Sequence, residues 1–178
     1  MGKKISTDSA TLMNKVFEVI EAQKIFDIKL NKFKILIHPK SYVHAIIKFK
    51  NGLIKLVAHD TDMKIPIFNS IYHDTENYFG TKRININLLN NLKLNKIDIK
   101  KYPLINILKN VPKKNTLFET LLVSINDELV NLFLKNKISF EDISLKLKQI
   151  INHKELLKYR QKRVKNLTQI EKLNEFVR

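Results

Sequence analysis

Asn14, Lys15 and Glu18 carry three different chemical groups within the stretch Asp8-Ser-Ala-Thr-Leu-Met-Asn-Lys-Val-Phe-Glu18. Asn14 and Glu18 are four apart and Lys15 and Glu18 three apart, a spacing that sets all three near one side of a helix. An amide, an ammonium and a carboxylate so placed can hold an anionic, hydroxylated ligand. Glu18 can take a hard cation such as Mg²⁺ or Mn²⁺. Ser9 is read at the start of the same helix, where free backbone N–H groups favour phosphate. On residue types alone a plainer account carries more weight. Lys15 and Glu18 are then a surface pair, Ser9 a cap and Asn14 a solvated amide. One carboxylate by itself is also a poor metal site.

The elements that must position these groups follow from periodicity and punctuation. Asp8 and Ser9 are good N-cap residues, and Leu12, Met13, Val16, Phe17 and Ile20 recur at helical spacing, so a helix is expected from about Ser9 to Lys24. Phe33 to His38 reads as a strand stopped by Pro39. Tyr42 to Phe49 and Leu53 to His59 are apolar, β-branched runs flanking Lys50-Asn51-Gly52, and Asn-Gly in that setting predicts a hairpin. Pro66 to Asn77 is expected to hold a short helix, Ile84 to Leu88 a strand, and Pro103 to Lys109 another helix. Thr116 to Asn136 predicts a long amphipathic helix. Ser139-Phe-Glu-Asp142 resembles a capping box opening a helix that runs to about His153. Val164, Leu167, Ile170, Leu173 and Val177 mark a last helix. The expected fold class is α+β. A central helix, strand and hairpin domain over 1–98 is followed by an all-α domain over 99–178.

Composition excludes several classes of function. The chain has 178 residues, 44% of them apolar, enough for a core. There is no cysteine, which removes disulfides, thiolate zinc sites, iron–sulfur clusters and cysteine nucleophiles. The five histidines show no metal-motif spacing, and three scattered glycines make no phosphate-cradling loop. No apolar run reaches the ~20 residues a membrane span requires, and the first residues lack the apolar region of a signal peptide, so the cytoplasm is the expected location. Net charge is +16, but only four of the 33 basic residues are arginine, and the lysines are spread along the chain. A solvated lysine-rich surface is the favoured account, and nucleic acid is not the expected partner. The one basic run, Lys154 to Lys165, is expected to lie on a helix face.

Three blocks, taken together, resemble a known family. GKKISTDSATLMNKVFEVIEA (Gly2 to Ala22) is similar to the central signature of the 1-deoxy-D-xylulose 5-phosphate reductoisomerases, roughly MG-[RK]-K-I-x-x-DSAT-[LM]-MNKGLE-x-IEA. Ile37-His-Pro-Lys-Ser-Tyr-Val-His44 resembles the family's IHPQSxxH. Asp62-Met-Lys-Ile-Pro-Ile67 resembles its PDMRxPI. Looser likeness continues at Lys101-Tyr-Pro103 and at Leu122 to Ile143, so the resemblance covers residues 1 to about 150.

The resemblance implies an enzyme that rearranges 1-deoxy-D-xylulose 5-phosphate and reduces it to 2-C-methyl-D-erythritol 4-phosphate. That step belongs to non-mevalonate isoprenoid synthesis and uses NADPH with a divalent cation, Mg²⁺ or Mn²⁺. Ser9, Asn14 and Lys15 match substrate-binding residues, largely at the phosphate end. Glu18 matches a metal-ligand carboxylate that also touches substrate. With Lys15, Glu18 and His44 read as catalytic, Met1, Gly2 and Met63 match positions near the nicotinamide. The alternatives are a core methionine at Met63 and a strand histidine satisfied by its neighbours at His44. The family's dinucleotide-binding half, two further metal carboxylates and most of a mobile loop have no counterpart here. The chain is therefore expected to be a C-terminal fragment, inactive alone and part of a homodimer. Val16-Phe17 stands where the family has Gly-Leu, which brings a branched side chain beside the site. Lys40 replaces Gln, Thr61 replaces Pro, and Ile65 a small polar residue. The other function kept open is a non-catalytic, lysine-rich interaction or RNA-binding protein on the same scaffold.

Overall fold

The computed structural model describes residues 2–72 and 77–177. The fold is α+β. In chain order the elements are α1 (Lys3–Ala10), α2 (Met13–Phe26), β1 (Leu36–Ile37), β2 (Val43–Lys48), β3 (Ile54–Ala58), α3 (Lys64–Ile71), α4 (Ile86–Asn90), β4 (Asn95–Lys96), α5 (Leu117–Leu134), α6 (Phe140–Ile151) and α7 (Leu167–Val177). Turns of 3₁₀ helix lie at Leu30–Lys32, Pro103–Asn110 and Leu157–Arg160.

Two compact units result, and they do not follow a single cut at residue 98. One comprises 1–34 with 98–178, the other 35–97. The first 34 residues go with the C-terminal helices because Met13, Val16 and Ile20 of α2 are buried in one cluster with Leu104, Phe118, Leu121, Leu122, Ile143 and Leu147. Burying a leucine- or phenylalanine-sized side chain stabilises by roughly 1.5–3 kcal/mol, so this cluster carries the helical unit. α5 lies at its centre. Its apolar positions Phe118, Leu121, Leu122, Ile125 and Leu129 recur at three and four residues, which keeps one stripe facing the core.

Caps fix where these helices begin. At α5 the Thr116 hydroxyl accepts from Phe118 N (3.2 Å), while Glu119 Oε2 accepts from Thr116 N (3.3 Å). At α6 the Ser139 hydroxyl accepts from Asp142 N (3.2 Å), and Asp142 Oδ2 accepts from Ser139 N (3.0 Å). The expected capping box is therefore present.

The unit 35–97 is built on the expected hairpin. β2 and β3 pair antiparallel in the register Ile46 to Leu56 and Ile47 to Lys55. The turn closes with Gly52 N–H donating to Phe49 O (3.1 Å), and Gly52 sits at φ 89°, a left-handed conformation that glycine adopts without strain. The strand expected over Phe33 to His38 shortens to β1, which pairs antiparallel with β4. Among the described residues of this unit only His38 is buried, and its Nδ1 accepts from Tyr42 N (3.0 Å). Ile46, Ile47, Ile54, Leu56 and Val57 all remain exposed.

Three sequence expectations are corrected. The helix expected over Ser9 to Lys24 is two helices, broken at Thr11 and Leu12. The segment expected as a strand over Ile84 to Leu88 forms α4 instead, because the Asn85 side chain caps it by accepting from Leu88 N (3.1 Å). The basic run Lys154 to Lys165 is not one helix. It folds through the 3₁₀ turn Leu157–Arg160, and its backbone then pairs with the start of α5, Leu117 N–H donating to Lys162 O (2.9 Å). The short helix expected over Pro66 to Asn77 is α3, and residues 73–76 of that span lie outside the described residues.

Candidate functional site at the break between the first two helices

Thr11 and Leu12 interrupt what would otherwise be one helix. Leu12 takes φ 58° and ψ 19°, a left-handed conformation that costs a leucine roughly 1–2 kcal/mol. Side-chain chemistry stabilises the break. Thr11 Oγ1 lies 3.2 Å from Thr7 O and 3.3 Å from Asp8 O, and it accepts from Met13 N (3.4 Å). A hydroxyl that bonds the backbone on both sides offers the chain an alternative to the helical ladder. Leu12 O then accepts from Lys15 N (3.1 Å) and Val16 N (3.3 Å), which starts α2.

This geometry changes the expected place of Ser9. Asp8 and Ser9 do not cap a helix start. Both lie inside α1, which begins at Lys3 with Gly2 as an N-cap that makes no side-chain bond. Ser9 is in the last turn of α1 and faces the first turn of α2 across the break. Asn14 Nδ2 donates to Ser9 Oγ (3.3 Å), and Asn14 Oδ1 accepts from Lys15 N (2.9 Å). The ammonium of Lys15 reaches both oxygens of Glu18, at 2.9 and 2.8 Å. One hydroxyl, one amide, one ammonium and one carboxylate are thus gathered at the N-terminal end of a 14-residue helix, whose dipole favours an anion.

Val16 does not crowd this group. It is fully buried in the core cluster, on the far side of α2 from Lys15 and Glu18, and Phe17 packs against the same cluster. The Val-Phe pair therefore strengthens the anchoring of α2.

Behind Ser9 lies a buried polar cluster that residue spacing did not reveal. Asp8 is 5% exposed and Asn126, on α5, is 0% exposed. Asn126 Nδ2 donates to Asp8 Oδ1 at 2.8 Å. Lys4 Nζ is 3.3 Å from Asp8 Oδ2 and 2.8 Å from Asp127 Oδ1. Burial works to lower the Lys4 pKa, but the hydrogen bond to Asp127 and the charges of Asp8 and Asp127 outweigh it and hold the ammonium above its ordinary range. Both partners were present in the compared blocks, but they are 118 positions apart, beyond the reach of any helical or strand period.

Of the other candidate residues, Gly2 is exposed at the head of α1, with open space around its α-carbon. Met1 lies outside the described residues. Met63 and His44 belong to the unit 35–97. Met63 precedes α3 and is 54% exposed, so it is not a core methionine. His44, on β2, lies with Nε2 3.1 Å from His59 O, and its ring stacks on the His59 ring with centroids 3.6 Å apart.

The donors do not make up a metal site. Glu18 is one carboxylate, and both its oxygens are engaged by Lys15. Among the described residues no three His, Asp or Glu side chains converge.

The sequence pattern of the DXP reductoisomerase C-terminal domain matches residues 59–178, and that of the 1-deoxy-D-xylulose 5-phosphate reductoisomerase C-terminal domain matches residues 1–26. The 1-deoxy-D-xylulose 5-phosphate reductoisomerase of Pelagibacter ubique (strain HTCC1062) is 55% identical over 177 residues, 99% of this chain and 46% of that protein. The one from Aquifex aeolicus (strain VF5) is 37% identical over 143 residues, 80% of this chain and 38% of that protein. Among solved structures, a DOX-P reductoisomerase in complex with NADPH, fosmidomycin and magnesium superposes with a TM-score of 0.87 at 29% identity, covering 100% of this chain and 45% of that one. The Zymomonas mobilis 1-deoxy-D-xylulose 5-phosphate reductoisomerase in complex with NADPH gives 0.84 at 27% identity, covering 98% and 45%. The chain spans about half the length of these relatives.

Proposed function

The chain belongs to the DXP reductoisomerase family, and from that premise we propose that it supplies the substrate-phosphate side of a 1-deoxy-D-xylulose 5-phosphate reductoisomerase and its C-terminal helices. One observation carries this reading. The Ser9 hydroxyl and the Asn14 amide meet at the α1–α2 break, and the adjacent Lys15, whose ammonium rests on Glu18, can swing to a phosphate held there. Lys15 provides the opposing charge, the helix end adds its dipole, and Ser9 and Asn14 orient the phosphate by hydrogen bonds. The reacting end of the sugar then extends toward Glu18, one turn further along α2.

NADPH and magnesium are named with the solved relatives. Glu18 would offer one carboxylate to such a cation; in sequence, Met1, Gly2 and Met63 match family positions near the nicotinamide, and His44 matches a histidine at the edge of the site. The donors among the described residues do not complete a cation site. In sequence, 1–98 carries the proposed substrate, metal and catalytic residues and 99–178 the C-terminal helices, while in packing 1–34 goes with those helices. The exposed apolar face and open edges of β2 and β3 support self-association into a homodimer. The cytoplasm is the proposed location.

By itself the 178-residue chain does not turn over NADPH. Complementation tests the whole reading. The chain is mixed with the separately produced N-terminal half of the Pelagibacter ubique relative, and NADPH oxidation is followed with 1-deoxy-D-xylulose 5-phosphate. Activity is expected only in the mixture, and Lys15→Ala abolishes it. A folded mixture that stays inactive, or activity from the 178-residue chain alone, overturns the proposal.

A further inference from the structure

We propose that Asn126 of α5, acting through Asp8, is a positioning residue that holds the α1–α2 break in the shape that brings Ser9, Asn14 and Lys15 together. This rests on the reading of those three as the phosphate-holding group.

The chain of contacts is short. Asn126 donates to Asp8 Oδ1 (2.8 Å), and Lys4 holds Oδ2 from the other side (3.3 Å). Asp8 is next to Ser9, and its own carbonyl is 3.3 Å from the Thr11 hydroxyl that accepts from Met13 N. The Asp8 carboxylate is thus clamped from α5, its backbone helps stabilise the break, and its neighbour faces Asn14. A buried carboxylate that loses one of its donors must find water or move. Asp8 is 5% exposed, so the response open to it is a shift of the last turn of α1, which carries Ser9 away from Asn14. A polar cluster at this place contributes less to stability than well-packed apolar residues can, whereas it fixes a single arrangement of two helices. That arrangement is the one the candidate site needs.

The test compares four forms of the 178-residue chain by NMR: wild type, Asn126→Asp, the exchange Asp8→Asn with Asn126→Asp, and Asn174→Ala. Asn126→Asp sets two carboxylates against each other. The exchange reverses the direction of the same hydrogen bond and keeps the charge of the cluster. Asn174→Ala removes a different tie of α5, the bond of Ser124 Oγ to Asn174 Oδ1 (3.0 Å), and so reports the cost of loosening that helix alone. Each form is titrated with inorganic phosphate, following the Asn14 and Lys15 amide signals. The backbone shifts of Thr11 and Leu12 report the break independently of phosphate.

Asn126→Asp is expected to weaken phosphate binding by roughly tenfold or more and to move the Thr11 and Leu12 shifts toward continuous helix. The exchange is expected to recover both, and Asn174→Ala to change neither while lowering the melting temperature. The inference is overturned if Asn126→Asp retains the break, or if the exchange fails to recover it. Should wild type give no response to phosphate, the phosphate reading of Ser9, Asn14 and Lys15 fails. The backbone shifts still decide whether Asn126 sets the break.

Discussion

Lys15 and Glu18 illustrate how one pair can be both an ordinary feature and a working one. Their side chains are 39% and 53% exposed, and an exposed pair of this kind contributes about 0.2–1 kcal/mol at most. Its value to the fold is therefore small. Its effect on ligand binding is easier to measure, because an anion recruiting Lys15 must first displace Glu18. Glu18→Gln removes that competitor and a nearby negative charge. It is expected to tighten inorganic phosphate binding by about two- to fivefold, the factor that up to ~1 kcal/mol of ion pairing permits. Lys15→Ala is expected to abolish the response. Both are read by titrating the Asn14 amide signal. Weaker binding in Glu18→Gln sinks the competition argument. The spacing of Asn14, Lys15 and Glu18 made this group legible in the sequence, since three- and four-residue intervals belong to one helix face. The position of Ser9 was not legible. Nothing local announces that Leu12 turns left-handed, because the Thr11 hydroxyl and the buried core around Met13 and Val16 decide it together.

At the scale of elements, legibility follows the range of the interaction. The hairpin could be read because Asn51-Gly52 and the flanking apolar runs are all local, and α5 and α6 because their caps lie within four residues of their starts. α4 lies where the alternation of Ile84, Ile86 and Leu88 suggests a strand, because the Asn85 cap outweighs that alternation. The basic run after α6 does not follow its helical pattern because its conformation is set by pairing with Leu117, far away in sequence. The caps themselves make two predictions. Thr116→Ala leaves Phe118 N–H without its acceptor and removes the hydroxyl that donates to Glu119 Oε2 (2.9 Å), a carboxylate that also holds Lys24 through its other oxygen (2.8 Å). A loss of about 1 kcal/mol is expected. In a chain of this size that lowers the thermal midpoint by about 2–4 °C. Asp142 gives a pH dependence of defined sign. The backbone N–H and hydroxyl of Ser139 hold its carboxyl below the ordinary value of 3.8. A depressed folded-state pKa contributes stability above the unfolded value, and that stability is lost as pH falls through the folded value. The difference in melting temperature between wild type and Asp142→Asn is therefore expected to be full at neutral pH, to begin shrinking near 3.8 and to close at lower pH. A difference that stays constant through that range rules the capping carboxylate out as its source.

For the whole molecule, the decisive fact is where apolar side chains are buried. Among the described residues, every buried apolar side chain belongs to 1–34 or 98–178, and none to 35–97. A boundary near residue 98 is visible in the sequence as a change from strands to helices. The membership of α1 and α2 is not, because their partners in the core are contributed by Leu104 onward. The helical unit is then expected to fold without the segment that interrupts it in sequence. β1 and β4 show how to remove that segment, since Leu36 pairs with Lys96 and Ile37 with Asn95. Antiparallel partners lie about 4.5–5.5 Å apart at Cα. A two-residue Asn-Gly turn can join Ile37 directly to Asn95. The shortened chain is expected to keep its helical circular dichroism and a cooperative urea transition, since the cluster around Phe118, Leu121 and Val16 is intact. A separately produced segment 35–97 is expected to show no cooperative transition as a monomer, because its described residues form no buried apolar core. A shortened chain that melts gradually, or an isolated segment that melts sharply as a monomer, places the source of stability elsewhere than in the buried faces of α2 and α5.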